Sequence, residues 1–468
     1  KLSFSITAVL ETDIMLIDEV LSVGDRKFKK KSYAKMKELI SNEDRTVMIV
    51  SHSAETIKKL CTRVIWLNDG EIVADGETGE VLKQYNEYMD YQEALMAKAD
   101  KAYWYGKVKV KPTQILLYPT YARYCDDIRY LCQYILKHCP DWEVVWVKHK
   151  ENEKIGISSK RLKMVLEKTP EYYRAIYSSK IILDDGMNLS KEDIKKHEEQ
   201  KIYKILKGAL GIKDINREAV SQGKKNRSAK LVDYCISNSD FETGTYQSSI
   251  WKGKQVLETG HPRNDVLFAT ESMQKEKAAK VRKFYKIPKD SRIALYAPTC
   301  REKFMHGKEW GELDFQALRE ALHQRFGGEF TILARTHRKD RGKWPEVESS
   351  PEVINANNYP ELTELMLSCD VGITDYSSWI YDFLLLGRPG FLYAPNAREY
   401  EEQRGLCYSL EDTPFPAASN MAELLEHIHG FHEEVFKERA EAFLKEKGCK
   451  ETGTACQSLV EHFRREME

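Results

Sequence analysis

Short apolar runs that end abruptly in small polar or charged residues most constrain what this chain can fold into. Ile115-Leu116-Leu117-Tyr118, Val144-Val145-Trp146-Val147 and Ile181-Ile182-Leu183 are such runs, and a helical pattern spans Asp126 to His138 between the first two. The pattern restarts at Arg292 to Tyr296, Thr331 to Ala334, Val371 to Ile373 and Phe391 to Tyr393. Runs this short suit strands buried on both faces, and their alternation with helical segments predicts parallel sheets with crossover helices. The expected fold class is α/β. Two sheets of this kind in one chain face each other across a cleft, a geometry that suits transferases using nucleotide-diphosphate donors.

A length of 468 residues predicts two or three domains. Lys+Arg and Asp+Glu are equal at 73 each, so net charge gives no push toward nucleic acid. The ten cysteines include no Cys-x-x-Cys pair, and no histidine cluster joins them at zinc spacing. They read as reduced thiols of a cytosolic protein, with no metal site among them. No apolar run approaches the roughly 18–20 residues of a membrane span, and no signal peptide is visible. The chain opens at Lys1 in mid-pattern and reads as part of something longer.

The stretch Thr374-Asp375-Tyr376-Ser377-Ser378 ends one apolar strand and precedes a helix expected from Trp379 to Leu386, closed by Gly387-Arg388-Pro389. Two hydroxyls at a strand-to-helix turn, with unpaired N–H groups and the helix dipole, suit a phosphate or diphosphate. A plain serine N-cap is the alternative. Further elements sit at strand ends of the same half: Thr299 and Arg301 in Ala297 to Arg301, then Arg335-Thr336-His337. Asp382 follows Ser378 at i, i+4 spacing. Gly260-His261-Pro262-Arg263-Asn264-Asp265 marks a tight turn between the halves, and Tyr400 and Arg404-Gly405 lie downstream. Each has a plainer reading: Thr299 as a helix cap, His337 as a surface residue, Arg263 as a hinge salt bridge. Together they place cationic and hydrogen-bonding groups where a diphosphate would lie on one sheet edge.

On these segments, residues 113–460 resemble the CDP-glycerol glycerophosphotransferase family of teichoic acid polymerases. The resemblance implies a two-lobed GT-B fold. It also implies transfer of glycerol phosphate from CDP-glycerol to the hydroxyl end of a polyol-phosphate chain, with release of CMP and no further cofactor. His337, Ser377 and Ser378 would hold the donor phosphates. Thr299, Arg301 and Arg335 would line the same pocket, and Asp382 would support the serine-bearing helix. Arg263, Asp265 and Arg404 would flank the cleft. Two departures stand out. The family's His-Pro pair is His337-Arg338 here. Its Trp-His-Gly, which carries the candidate general base, lines up with Leu206-Lys207-Gly208. Lys207 thus takes the catalytic position, and an unperturbed lysine is protonated at neutral pH (pKa about 10.4). It could act as a base only if burial lowered that value by about 2–3 units.

Ile14 to Ile17 is an apolar run ending in Asp18-Glu19, followed by Val20 to Asp25 and by Thr46 to Val50 with Ser51-His52-Ser53. Val64 to Val73 reads as a hairpin with an Asp-Gly turn. This region resembles the ATPase subunit of teichoic acid and polysaccharide ABC exporters. By that resemblance Asp18 would hold the Mg²⁺ shell, Glu19 would orient the attacking water, Asp25 would end a dimer-contact loop and His52 would sense the γ-phosphate. No Gly-x-x-x-x-Gly-Lys-Ser/Thr is present. The region therefore lacks a phosphate cradle, and ATP with Mg²⁺ belongs only to an intact ABC domain.

The expected organisation is residues 1–92 as a partial ABC ATPase and 93–112 as a linker. An acceptor lobe follows at 113–270, a CDP-glycerol donor lobe at 271–445 and a closing helix at 446–468. The basic, aromatic stretch Lys101 to Pro112 suits either an anionic membrane surface or packing on a neighbour. Lys195 to Lys230, with eleven Lys/Arg against four Asp/Glu, suits a polyanionic acceptor, a membrane surface or a solvated helix face. The implied partners are CDP-glycerol, a polyol-phosphate polymer on a lipid carrier, an exporter's membrane subunit and an anionic membrane surface, with no nucleic acid. The implied location is the cytoplasmic face of the membrane, held peripherally. Two alternatives stand beside the transferase: a weakened binding module of an exporter, and an ATPase subunit whose Walker A part lies elsewhere.

Overall fold

The computed structural model describes residues 12–18, 34, 37–38, 40–41, 46–51, 53–68, 70–99, 101–121, 124–186, 188–189, 194–206, 208, 210–211, 227–299, 313–337, 347 and 352–468. The chain divides into two compact units, Lys1–Asp100 and Lys101–Glu468.

In the first unit β1 (Ile14–Asp18) and β2 (Thr46–Val50) pair in parallel, Ile14 opposite Thr46. Met15 and Ile17 are buried against Ile40, Val47 and Ile49, the alternation a strand imposes. β3 (Arg63–Asn68) and β4 (Glu71–Glu77) form the expected antiparallel hairpin, and Gly70 supplies the positive φ of its turn. Helix Ala54–Leu60 is capped by the Ser53 hydroxyl, which accepts from the Thr56 N–H at 3.2 Å. A long helix follows over Thr78–Ala99, and Trp66 of the hairpin packs on its Tyr85 and Tyr88.

The second unit holds two parallel sheets. The first contains β5 (Lys111–Tyr118), β6 (Glu143–Lys148), β7 (Leu162–Leu166), β8 (Ser179–Asp184), β9 (Lys201–Ile205), β10 (Tyr234–Ser237) and β11 (Gln255–Glu258). Their order is β11-β10-β9-β8-β5-β6-β7. The second contains β12 (Arg292–Tyr296), β13 (Phe330–Ala334), β14 (Val353–Asn355), β15 (Val371–Thr374), β16 (Gly390–Tyr393) and β17 (Ala417–Ala418), in the order β14-β13-β12-β15-β16-β17. Helices cover both sheets, and central strands such as Ile293 to Tyr296 are buried throughout, as parallel sheets require. In the second sheet the order reverses between β12 and β15. Such a switch point opens a crevice beyond the carboxyl ends of its two strands.

The span 93–112 carries the end of one helix, a second helix Lys101–Lys107 and the start of β5. Trp104, Tyr105 and Val108 pack on the first lobe's core, and Tyr105 stacks on His197 at 4.4 Å between centroids. Trp104 and Tyr105 therefore cover a neighbour, while Tyr103 is exposed. The final helix, Ala455–Met467, returns to the first lobe, where Leu459, Val460 and Phe463 join the core.

A buried ionic network joins the lobes. Arg263, in the turn after Gly260, donates from Nη1 to Asp127 Oδ2 (2.7 Å) on the first lobe and from Nε to Asp382 Oδ2 (2.9 Å) on the second. Asn264 donates to Asp382 Oδ1 (2.9 Å) and to Glu451 Oε1 (2.8 Å). His261 is fully buried, with Nε2 2.9 Å from Glu242 Oε2 and Nδ1 3.8 Å from Asp127 Oδ1. Gly260 allows this turn: its φ is +81°, and a Cβ there would meet the Glu451 carboxylate at 2.7 Å. A second bridge runs from Arg129 to Glu364 (2.8 Å) and Glu361 (3.3 Å), while Glu361 Oε2 also accepts the Asp126 N–H (3.0 Å).

Removing one member of such a network leaves a buried charge without compensation. Arg263→Ala is expected to cost about 3–5 kcal/mol in urea unfolding. Burial opposes a charged ring at His261, but the Glu242 carboxylate prevails and lifts it from 6.5 to about 9. Burial lifts Glu451 from 4.5 to about 7. Both values are raised in the folded state, so both contributions are present at low pH and are lost as pH rises. Glu451 acts between about 4.5 and 7, and His261 between about 6.5 and 9. The urea midpoint is expected to fall between pH 6 and pH 9.5, and His261→Gln to flatten the upper half of that fall.

Candidate functional site

The crevice at the β12/β15 switch point is built by two loops fastened to each other. Ala297 follows β12, and its N–H donates to Ile373 O (3.1 Å). Its carbonyl accepts the Thr374 hydroxyl and the Trp379 indole N–H, both at 2.7 Å. The Asp375 carboxylate, 1% exposed, accepts the Thr299 N–H (2.8 Å) and its own neighbour's N–H at Tyr376 (2.5 Å). These bonds fix Pro298 and Thr299 beside Ser377 and Ser378. Asp375 and Trp379 carry this arrangement, although only the serines drew attention in sequence. An aspartate two residues before the first serine was the available signal.

A cleft of about 260 Å³ lies between the lobes, lined from the second lobe by Arg335, His337, Ser377, Ser378 and Asp382 and from the inter-lobe turn by Arg263. The first lobe contributes Tyr121, Cys125 and Asp126. Arg335 is oriented by donating to the carbonyl of Tyr359 (2.6 Å). Cationic groups, hydroxyls and a strand-end turn thus share one concave surface, a combination that binds phosphate oxygens.

Several expectations change in detail. The helix after Ser378 spans Trp379–Leu384, two residues shorter than expected. Ser378 has helical backbone angles and makes no capping bond, so it is not a plain N-cap. Asp382 does more than support the serine helix, because its two oxygens grip Arg263 and Asn264. Asp265 faces away from the cleft lining: its carboxylate accepts the Ala455 and Cys456 N–H groups, both at 2.8 Å, and caps the last helix. Arg404 ends helix Ala397–Arg404 and is not among the cleft-lining residues. Thr299 is buried beside Pro298 and is not among the cleft-lining residues, and its hydroxyl has no hydrogen-bond partner among the described residues. Lys207, Arg301, Glu19, Asp25 and His52, and the side chain of Asp18, lie outside the described residues.

The flanks of position 207 are held by both lobes. The Leu206 N–H donates to the Tyr246 hydroxyl (3.0 Å) on the first lobe. Leu210 is buried in the second lobe's core, and its carbonyl accepts the Tyr408 hydroxyl. Gly211 then lies against the serine helix: a Cβ there would sit 2.7 Å from Ser378 Cβ and 2.6 Å from Gly208 O.

This is a two-lobed α/β protein with a cleft lined by cationic and hydroxyl side chains between parallel sheets. Residues 104–461 match the model of the CDP-Glycerol:Poly(glycerophosphate) glycerophosphotransferase family, and the chain belongs to that family. It is 26% identical over 354 residues to the teichoic acid poly(glycerol phosphate) polymerase of Staphylococcus epidermidis, covering 72% of this chain and 48% of that protein. A second relative is the teichoic acids export ATP-binding protein TagH of Lactococcus lactis, 45% identical over 103 residues, 22% of each chain. The chain spans about half the length of the first polymerases it matches. The solved structure of the wall teichoic acid polymerase TagF shares the fold, at 22% identity and a TM-score of 0.68, over 82% of this chain and 98% of that one. Among the described residues no helix is long and apolar enough to cross a membrane, and no group of His, Cys, Asp and Glu is arranged to hold a metal ion.

Carbon atoms in contact sit about 3.5–4.0 Å apart, so a methyl group at Gly211 would push the loop off Ser378 by roughly 1 Å. Gly211→Ala is expected to cost about 1–3 kcal/mol in urea unfolding, the usual cost of overpacking a close contact. Urea titration followed by circular dichroism measures it. A midpoint equal to that of the wild type would show that this contact does not matter.

Proposed function

We propose that the chain transfers glycerol phosphate from CDP-glycerol to the hydroxyl end of a polyol-phosphate chain of the teichoic acid type, using a GT-B arrangement. One observation carries this reading: Arg335, His337, Ser377 and Ser378 of the second lobe and Arg263 of the inter-lobe turn converge on one cleft in a chain of this family. In the proposed mechanism His337 and the two serines bind the donor's diphosphate, and Arg335 and Arg301 add positive charge. The acceptor hydroxyl attacks the β-phosphorus in line. The bond from that phosphorus to the bridging oxygen breaks, and CMP leaves with the electron pair, its charge met by these preorganised donors. No cofactor is needed for this transfer.

We assign residues 1–92 to part of an exporter ATPase, a reading supported by the likeness to TagH. Joining the two would bring polymer extension and export together on the cytoplasmic membrane face, with the lipid-carried polymer and an exporter's membrane subunit as partners. Lys207, where the resemblance expects a histidine base, favours a second reading: a module that binds donor or polymer without turnover.

Incorporation of radiolabelled CDP-glycerol into a polyol-phosphate acceptor tests the proposal, run on wild type and Lys207→His together. Label in the polymer with stoichiometric CMP is the expected result. Absence of transfer from both proteins would overturn it. Tight calorimetric binding without CMP release would support the binding module.

A further inference from the structure

We propose that Tyr408 is a positioning residue for the transfer: its hydroxyl latches the first-lobe segment 206–211 onto the turn that carries Ser377 and Ser378. The inference rests on the transferase reading of the cleft and deepens it. The segment leaves β9 at the carboxyl edge of the first sheet and carries Lys207, where the family resemblance expects the base. In-line attack brings a group delivered by one lobe against a phosphorus held by the other, so the segment has to be fixed relative to the serines.

Two tyrosines hold it, one from each lobe. The Tyr246 hydroxyl, buried in the first lobe, accepts the Leu206 N–H (3.0 Å) and donates to Ile236 O (2.9 Å). The chain then turns back on itself, the Gly211 N–H donating to Gly208 O (2.7 Å). Leu210 enters the second lobe's core, its carbonyl accepts the Tyr408 hydroxyl, and Gly211 abuts Ser378. Burial lifts the Tyr408 phenol well above its ordinary value, so the group stays protonated and able to donate at neutral pH.

The ring of Tyr408 is a rigid mount for that hydroxyl. The Lys447 ammonium sits 4.4 Å from its centroid, and Phe443 and Phe241 pack edge-on at 5.9 and 5.5 Å. Phe241 belongs to the first lobe and lies on helix Asp240–Gln247, which also carries Tyr246. The Phe241 N–H donates to Lys447 O (3.1 Å), and Asp240 pairs with Lys450 (2.9 Å). One helix thus connects the mount of Tyr408 with the tether of Leu206, and both ends of the segment are referred to the same frame. Tyr408 is not among the cleft-lining residues, so it acts through the segment and not on a substrate.

Tyr408→Phe removes the donor and keeps the ring with its packing and its cation–π contact. The measurements are CMP release from CDP-glycerol with a polyol-phosphate acceptor, donor affinity by calorimetry, and hydrogen exchange of the peptide spanning 206–211. They are made in wild type and in Lys207→His, each with and without Tyr408→Phe, and kcat is compared in whichever parent transfers. The expected result is a fall in kcat on the order of 10–10²-fold at unchanged donor affinity, the cost of a misplaced segment. Exchange over 206–211 should become roughly tenfold faster, the loss of one hydrogen bond. A kcat within threefold of the parent overturns the assignment, as does unchanged exchange over 206–211 or a donor affinity that falls as far as kcat. Faster exchange throughout helix Asp240–Gln247 overturns it too, because Tyr408 would then hold the fold and not the segment. Inactivity of wild type and Lys207→His alike overturns the transferase reading, and the assignment with it.

Discussion

The guanidinium of Arg263 holds the large unit of this protein in its working shape. It is buried between Asp127 of one lobe and Asp382 of the other, and its neighbours His261 and Asn264 extend the same network to Glu242 and Glu451. Burying a charge is costly unless geometry and hydrogen bonds are nearly complete. That cost makes the arrangement specific, because moving either lobe would strand a charge away from water. A hydrophobic junction of similar area could slide; this one has a defined register.

The cleft inherits its precision from that register. Ser377 and Ser378 sit one turn from Asp382, and Asp126 sits beside Asp127, so each wall of the cleft is one residue or one helical turn from an arm of the Arg263 clamp. Bonds among Ala297, Thr374, Asp375 and Trp379 then stiffen the second lobe's wall. Preorganised polar groups of this kind stabilise developing charge without reorganising during reaction, which is where electrostatic catalysis draws its advantage.

Much of the fold could be read directly because the central strands are buried on both faces. Arg292 to Tyr296 and the helix Asp126 to His138 fall where their patterns place them. β7, β9, β10, β11, β14 and β17 were not read, because their apolar signal is short or interrupted by polar residues, as in Leu162-Lys163-Met164-Val165-Leu166 and Lys201-Ile202-Tyr203-Lys204-Ile205. The site was only partly legible. Ser377, Ser378, Arg335 and His337 stand at strand ends and could be picked out. Asp126 read as an ordinary first residue of a helix, and its place on the cleft depends on how the lobes meet. Asp265 looked like a cleft residue because it belongs to the Gly260-to-Asp265 turn, yet its partner is a helix about 190 positions later in the chain.

Taken alone, the amino-acid order determined an α/β protein with two parallel sheets and put phosphate-binding residue types at strand ends, because periodicity and turn chemistry act over a few neighbours. The tertiary structure decided which strand ends open on the cleft, which carboxylates serve as struts and which as its lining, and that Gly211 must lack a side chain beside Ser378. Those outcomes rest on contacts between residues more than a hundred positions apart. Local sequence carries no record of them, since burial, ion pairing and steric fit come into being only when the lobes close on each other.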